Sequence, residues 1–239
     1  MQMKAVILAA GMGTRLRPVI GENQKTMVKY SEKPLLQRTV EVLRDKGLKD
    51  IVIVVNYMKD QIMEFFGDGS EFGVRIEYVY QENPKGGTAN AVKCVKEKIS
   101  EKSFVLIYGD NIFDKKILDA ILKKSAHFDG VLCGKTVANP SKYGIMQVDG
   151  FHVKKIIEKP EVPPSNLALT GLFVLPKEIF RTIEETKLSV RGEYELTDSI
   201  QMLIDEGYDF GFQVAEGFWM DPRDQEEIQM ADSFLKKSA

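Results

Sequence analysis

Histidine is nearly missing from this 239-residue chain, with only His127 and His152 present. Imidazole-centred catalysis is therefore hard to build, and both histidines read as surface residues. Cysteine is as scarce. Cys94 and Cys133 both sit among apolar neighbours, which points to buried structural thiols and not to a disulfide framework. No Cys/His spacing suggests zinc. Charge of one sign is also lacking: 33 Lys and Arg face 35 Asp and Glu, for a net charge of -2. No global field draws the chain to nucleic acid or acidic lipid. No apolar run approaches the roughly 20 residues of a membrane span, and no cleavage-site pattern follows Met1-Gln2-Met3-Lys4. A cytoplasmic protein with neither nucleic-acid nor membrane partner is expected. Repeats, low-complexity stretches and linkers are absent as well.

What is present is ordinary globular material, 44% hydrophobic and 28% charged. The length fits one α/β domain over 1–239. Its front half, about 1–115, would bind nucleotide, and its back half, about 116–239, the second substrate. Ala5–Ala10, Ile51–Val55 and Phe104–Tyr108 are continuous apolar runs, the pattern of strands buried on both faces. Val74–Tyr80 alternates and reads as a further strand. Helical spacing over Pro34–Lys46, Met58–Phe66 and Thr88–Ile99 separates them. Alternating strand and helix predicts a doubly wound, mainly parallel sheet. In the second half, strands are expected at Val131–Val137, Tyr143–Val148, Val153–Glu158 and Leu167–Leu175. Helices are expected at Pro176–Glu185, Leu196–Glu206 and Gln225–Leu235.

The first chemical signal is Leu8-Ala9-Ala10-Gly11-Met12-Gly13-Thr14-Arg15-Leu16. Two glycines allow a tight turn whose N–H groups make an anion-binding concavity, and Arg15 adds a donor fork suited to phosphate. A dinucleotide turn would need a third glycine where Leu16 stands and an acidic residue where Asn56 stands. It would also need a helix straight after the turn, where Pro18 and Gly21 come instead. Lys25, ten residues beyond Arg15, extends the cationic loop. Asp110 ends the fourth strand, at the sheet edge where ligands of open α/β sheets bind, and Asp221 follows the single tryptophan. Phosphoryl transfer needs a divalent cation held by one or two carboxylates, so this pair is the candidate metal site. Asp110 and Asp221 also fit helix caps or turns.

Taken in order, these stretches resemble the sugar-1-phosphate nucleotidylyltransferases, most closely the glucose-1-phosphate thymidylyltransferase and uridylyltransferase branch. The resemblance runs from Lys4 to about Leu235. Besides the glycine loop it is carried by Gln24-Lys25, Gln81 through Gly87-Thr88-Ala89, Gly109-Asp110-Asn111, Glu158-Lys159-Pro160 and Trp219-Met220-Asp221. Thr170-Gly171-Leu172-Phe173 and Arg191 through Asp198 are lesser matches.

The resemblance implies a Rossmann-like, GT-A-like nucleotidyltransferase fold without an appended β-helix, and transfer of a nucleotidyl group from a nucleoside triphosphate to a sugar 1-phosphate. It implies Arg15 and Lys25 as catalytic cations. Leu8 to Thr14, Gln81, Gly86, Gly87, Thr88 and Asp110 would bind nucleotide. Gly144, Glu158, Lys159, Thr170 and Gly171 would bind the sugar phosphate, and Asp110 and Asp221 would hold Mg2+. dTTP and UTP are equally favoured, and glucose 1-phosphate leads the acceptors. Transfer to N-acetylglucosamine, mannose, inositol or choline phosphates stays open, as do a non-catalytic regulatory role and a homo-oligomer. Pro222-Arg223-Asp224 departs from the small residue, glycine and threonine that usually follow the second aspartate.

Overall fold

The apolar run opening the chain forms β1 (Lys4–Ala9), and its alternate side chains enter two different cores. Val6 faces one side with Val52, Val54, Phe104 and Leu106. Ala5 and Ile7 face the other with Ile51, Ile53, Val105 and Ile107. This is why the interiors of these strands are apolar at every position: both faces are covered. The computed structural model describes residues 3–14, 16–83 and 85–237.

After α1 (Arg17–Ile20), a small hairpin of β2 (Lys29–Tyr30) and β3 (Lys33–Pro34) leads into α2 (Leu35–Asp45). Then follow β4 (Asp50–Val55), α3 (Lys59–Phe66), β5 (Arg75–Tyr80), α4 (Gly87–Lys93) and β6 (Ser103–Tyr108). The chain continues through β7 (Ile112–Phe113), α5 (Lys115–Lys124), β8 (Gly130–Thr136), β9 (Gly144–Asp149), β10 (His152–Glu158) and β11 (Leu167–Pro176). It ends with α6 (Ile179–Glu185), α7 (Leu196–Asp205), β12 (Phe210–Val214), β13 (Trp219–Met220) and α8 (Gln225–Lys237).

Nine strands make the main sheet, in the order β5-β4-β1-β6-β11-β8-β12-β10-β9. β5, β4, β1 and β6 are parallel, and β11 runs antiparallel to both β6 and β8. The switch of direction at β6–β11 places the end of β6 beside Thr170 and Gly171, in the bulged part of β11 where its register against β8 shifts. α2, α3 and α5 cover one face, and α4, α6 and α7 the other. Burial of each large core side chain, such as Phe104 or Ile7, contributes about 1.5–3 kcal/mol. The mixed, doubly wound α/β class is the one the strand–helix alternation predicts.

Several local expectations need correction. α5 and β12 are not assigned by the sequence reading. α5 carries a legible signal, since Asp114 caps it by accepting from the Lys116 N–H at 3.0 Å and Ile117, Leu118 and Ile121 share its buried side. β12 is only five residues long and contains Gly211. α4 stops at Lys93 and yields to a tighter turn at Lys96–Lys98, so the helix does not reach Ile99. Val95 and Ile99 still both enter the core. The glycine loop is followed by a single helical turn, α1, with Pro18 in its first turn, where the fixed proline φ is tolerated. Cys133 is buried, but Cys94 is half-exposed and gives its thiol hydrogen bond to the Asn90 carbonyl, so it is not a core thiol. Both cysteines are free.

Candidate active site

Lys25 and Asp110 meet where the parallel strands end. The Lys25 Nζ lies 2.8 Å from Asp110 Oδ2 and 2.9 Å from Asp221 Oδ1. Gln24 sets up this contact. Its amide donates to the Ala9 carbonyl at 2.8 Å, and its Oε1 accepts from the Thr26 hydroxyl at 2.6 Å, which anchors the loop below β1. Asp110 is delivered by β6, whose close approach to β1 requires Gly109: a Cβ there would stand 2.8 Å from the Leu8 carbonyl oxygen. Asp221 is delivered by β13, which pairs with β7. The Thr170 carbonyl locks this region by accepting both Asn111 Nδ2 at 2.6 Å and Trp219 Nε1 at 3.0 Å.

Burial pulls the Lys25 ammonium down, but Asp110 and then Asp221 outweigh it, and the net shift is upward. Burial likewise pushes the Asp110 carboxyl up, and the neighbouring Lys25 more than offsets it, leaving Asp110 below the usual carboxylate range. Lys25 and Asp110 are therefore both charged at neutral pH.

Three adjoining cavities meet at Asp110. The first, about 240 Å³, is bordered by Leu8, Ala9, Ala10 and Gly11 on the β1 side and by Gln81, Gly87 and Thr88 opposite. The Gln81 amide donates to Asn90 Oδ1 at 3.1 Å and reaches the Gly87 carbonyl at 3.4 Å. Gly87 is held at φ +85°, and a Cβ there would stand 2.5 Å from the Tyr194 carbonyl oxygen. The second cavity, about 280 Å³, is bordered by Gly11, Gly13, Thr14 and Lys25, with both aspartates on its floor. The third, about 170 Å³, takes in Gly144, Glu158, Lys159, Thr170 and Gly171. Met12 and Gly86 border none of the three; Gly86 instead accepts from the Tyr194 N–H at 3.1 Å. Arg15 lies outside the described residues.

Lys159 is one of few non-glycine residues at positive φ, +40°, and its N–H donates to the Tyr143 carbonyl at 3.0 Å. Backbone held in this sparsely populated region is over-determined by its surroundings, and such positions cluster at functional sites. Glu158 accepts from Arg191 Nη1 and from the Thr197 hydroxyl, each at 3.2 Å. Burial, and next the charge of Glu158, push the Glu195 carboxyl up.

Tyr108, Tyr143 and Arg223, which no sequence motif marks, also border the third cavity. Tyr108 ends β6 directly before Gly109-Asp110, a position that could have flagged it. Arg223 stands inside the stretch that departs from the expected pattern, and that departure was the available signal.

The donor set suits a hard divalent cation. Both carboxylates already converge on one positive charge, so their oxygens are no farther apart than the two contacts to Nζ allow. Carboxylate oxygens are the ligands Mg2+ prefers, with phosphate and water completing the shell. Among the described residues no group of three or more His, Cys, Asp or Glu forms a metal cluster, so a full protein cage is not on offer. No helix among the described residues is long and apolar enough to cross a membrane.

Comparison with known proteins matches the Nucleotidyl transferase family to residues 4–236. The chain is 38% identical over 98% of its length to the low-salt glycan biosynthesis nucleotidyltransferase Agl11 of Haloferax volcanii, covering 66% of that protein. It is 36% identical to a glucose-1-phosphate thymidylyltransferase of Streptomyces griseus, over 92% of this chain and 62% of the relative. The chain therefore spans somewhat under two thirds of these two curated relatives. It matches the UTP–glucose-1-phosphate uridylyltransferase AglF of Haloferax volcanii more evenly, at 36% identity over 95% of each chain. Among solved structures, a UDP-glucose pyrophosphorylase complexed with UDP-glucose superposes with a TM-score of 0.86 at 25% identity, covering 100% of both chains. With the doubly wound sheet, the glycine loop and the Lys25–Asp110–Asp221 cluster on the same edge, the chain belongs to the nucleotidyl transferase family, among its sugar-1-phosphate nucleotidylyltransferases.

Proposed function

We propose that this protein transfers a nucleotidyl group from a nucleoside triphosphate, dTTP or UTP, to a sugar 1-phosphate, foremost glucose 1-phosphate, releasing pyrophosphate. One observation carries the reading: Asp110 borders all three cavities, so base, triphosphate and sugar phosphate would meet at one charged point. Relatives named for thymidylyl and uridylyl transfer to glucose 1-phosphate support the substrate pair.

In this mechanism a phosphate oxygen of the sugar phosphate attacks the α-phosphorus as the bond from that phosphorus to the bridging oxygen breaks, and pyrophosphate departs with the electron pair. The attacking phosphate has its second pKa near 6, so no side chain need remove a proton. The obstacle is repulsion between two polyanions, and the protein's task is electrostatic and positional. Lys25 would offset charge on the α-phosphate and the leaving group, with Arg15 as its partner on the glycine loop. Gly11, Gly13 and Thr14 would wrap the triphosphate. Gln81, Gly87 and Thr88 would hold the base against Ala9 and Ala10. Lys159 would grip the sugar phosphate, and Glu158 would bind hydroxyls beside Gly144, Thr170 and Gly171. Asp110 and Asp221 would hold a divalent ion, Mg2+ in this reading. When bound, such an ion neutralises phosphate charge and aligns the triphosphate.

The deciding experiment is a matrix of five nucleoside triphosphates against several sugar phosphates with Mg2+, scored by pyrophosphate release. Turnover with dTTP or UTP and glucose 1-phosphate is expected. Silence across the whole matrix would overturn the reading in favour of a non-catalytic relative.

A further inference from the structure

Arg223 lies in the stretch that departs from the family pattern, yet three independent contacts fix it in the site. Its backbone N–H donates to Glu227 Oε2 at 2.7 Å, and Asp224 Oδ1 accepts from the Glu227 N–H at 2.9 Å. These two contacts anchor the residue in the turn just before α8, next to the buried Pro222. The guanidinium carbon lies 4.1 Å above the centre of the Tyr143 ring, which sets the plane of the fork. Its Nε donates to Asp221 Oδ2 at 3.1 Å. The two terminal nitrogens make no hydrogen bond to any described residue. They stand where the second and third cavities share a border, with Lys142 and Lys159 on the same rim.

A planar, permanently charged fork with both ends unspent, held by a ring and a carboxylate, is preorganised for a phosphate. We infer that Arg223 is a sugar-phosphate-binding residue, pairing its terminal nitrogens with the acceptor's phosphate while its Nε keeps Asp221 in place. This rests on the reaction proposed above. It adds a cation supplied by the turn before α8 and aimed at the acceptor, distinct from Lys25, which faces the two aspartates. Glu158, which borders the same cavity, is engaged instead by Lys159 and Arg191.

The test compares wild type, Arg223→Gln and Arg223→Lys. We expect Arg223→Gln to raise KM for glucose 1-phosphate about tenfold or more while KM for the triphosphate changes less than about twofold, as loss of a charge-assisted contact to one substrate requires. Arg223→Lys, which keeps charge but loses the fork, should fall between, and added guanidinium should partly restore Arg223→Gln. Equal changes in both KM values, or a fall in kcat alone, would reduce Arg223 to a support for Asp221 and overturn the inference. A second measurement does not depend on turnover or on that variant folding well: glucose 1-phosphate without triphosphate or metal should raise the Tm of wild type, and less so that of Tyr143→Leu, which removes the ring beneath the fork. An equal rise in both would count against the inference, even if no acceptor pair released pyrophosphate.

Discussion

Lys25 and Asp110, separated by 85 residues in the chain, touch at 2.8 Å. The pair joins the loop after β1 to the end of β6, and through Asp221 it reaches the end of β13. One ammonium thus bridges two half-buried carboxylates and offsets part of their combined negative charge.

Replacing Asp110 by Asn keeps its shape and removes its charge. Steady-state kinetics should then show kcat lower by about 10²–10³. Unfolding stability should fall by only about 1 kcal/mol, because the pair is partly open to solvent. Titration with Mg2+ should need a higher concentration for half-maximal rate. A variant with wild-type kcat at saturating Mg2+ would remove Asp110 from the chemistry.

Gly87 can be tested against Gly192, which shares its positive φ but not its crowding. A Cβ at Gly87 would stand 2.5 Å from the Tyr194 carbonyl oxygen, whereas one at Gly192 meets nothing within 4 Å. Gly87→Ala should cost about 2–3 kcal/mol and raise KM for the triphosphate, and Gly192→Ala about 1 kcal/mol. Chemical denaturation of the two variants checks the difference; equal costs would mean that the Tyr194 backbone yields readily.

Glu195 offers a pH test. Burial, then Glu158, raise its folded-state pKa, with Arg191 opposing them. A raised acid holds its proton more tightly in the folded protein. Its contribution is therefore fully present below the unfolded value of about 4.3 and is lost as pH rises through the folded value. Glu195→Gln cannot titrate. Its Tm minus that of wild type should grow as pH climbs from about 4 towards neutrality. A difference that stays flat or shrinks over that range would contradict the direction of the shift.

Local order was legible wherever neighbouring residues decide it. The apolar runs of β1, β4 and β6 and the spacing of α2 follow from which side chains must leave water, and the glycine loop announces an anion-binding turn. α5 is local in the same sense, since its Asp114 cap and the spacing of buried Ile117, Leu118 and Ile121 are a helix signal within one short segment.

The sequence by itself determined the elements, the two-sided core and the types of residue available for phosphate chemistry, because these depend on periodicity and charge along the chain. Only the tertiary structure decided which of those residues meet. Sheet order brings β6 against β1 and turns β11 antiparallel beside them, so that Asn111 and Trp219 converge on the Thr170 carbonyl. That junction brings Asp221 to Lys25 across 196 residues and leaves Arg223 over Tyr143. No local pattern encodes such contacts, since each depends on the packing of segments far apart in the chain.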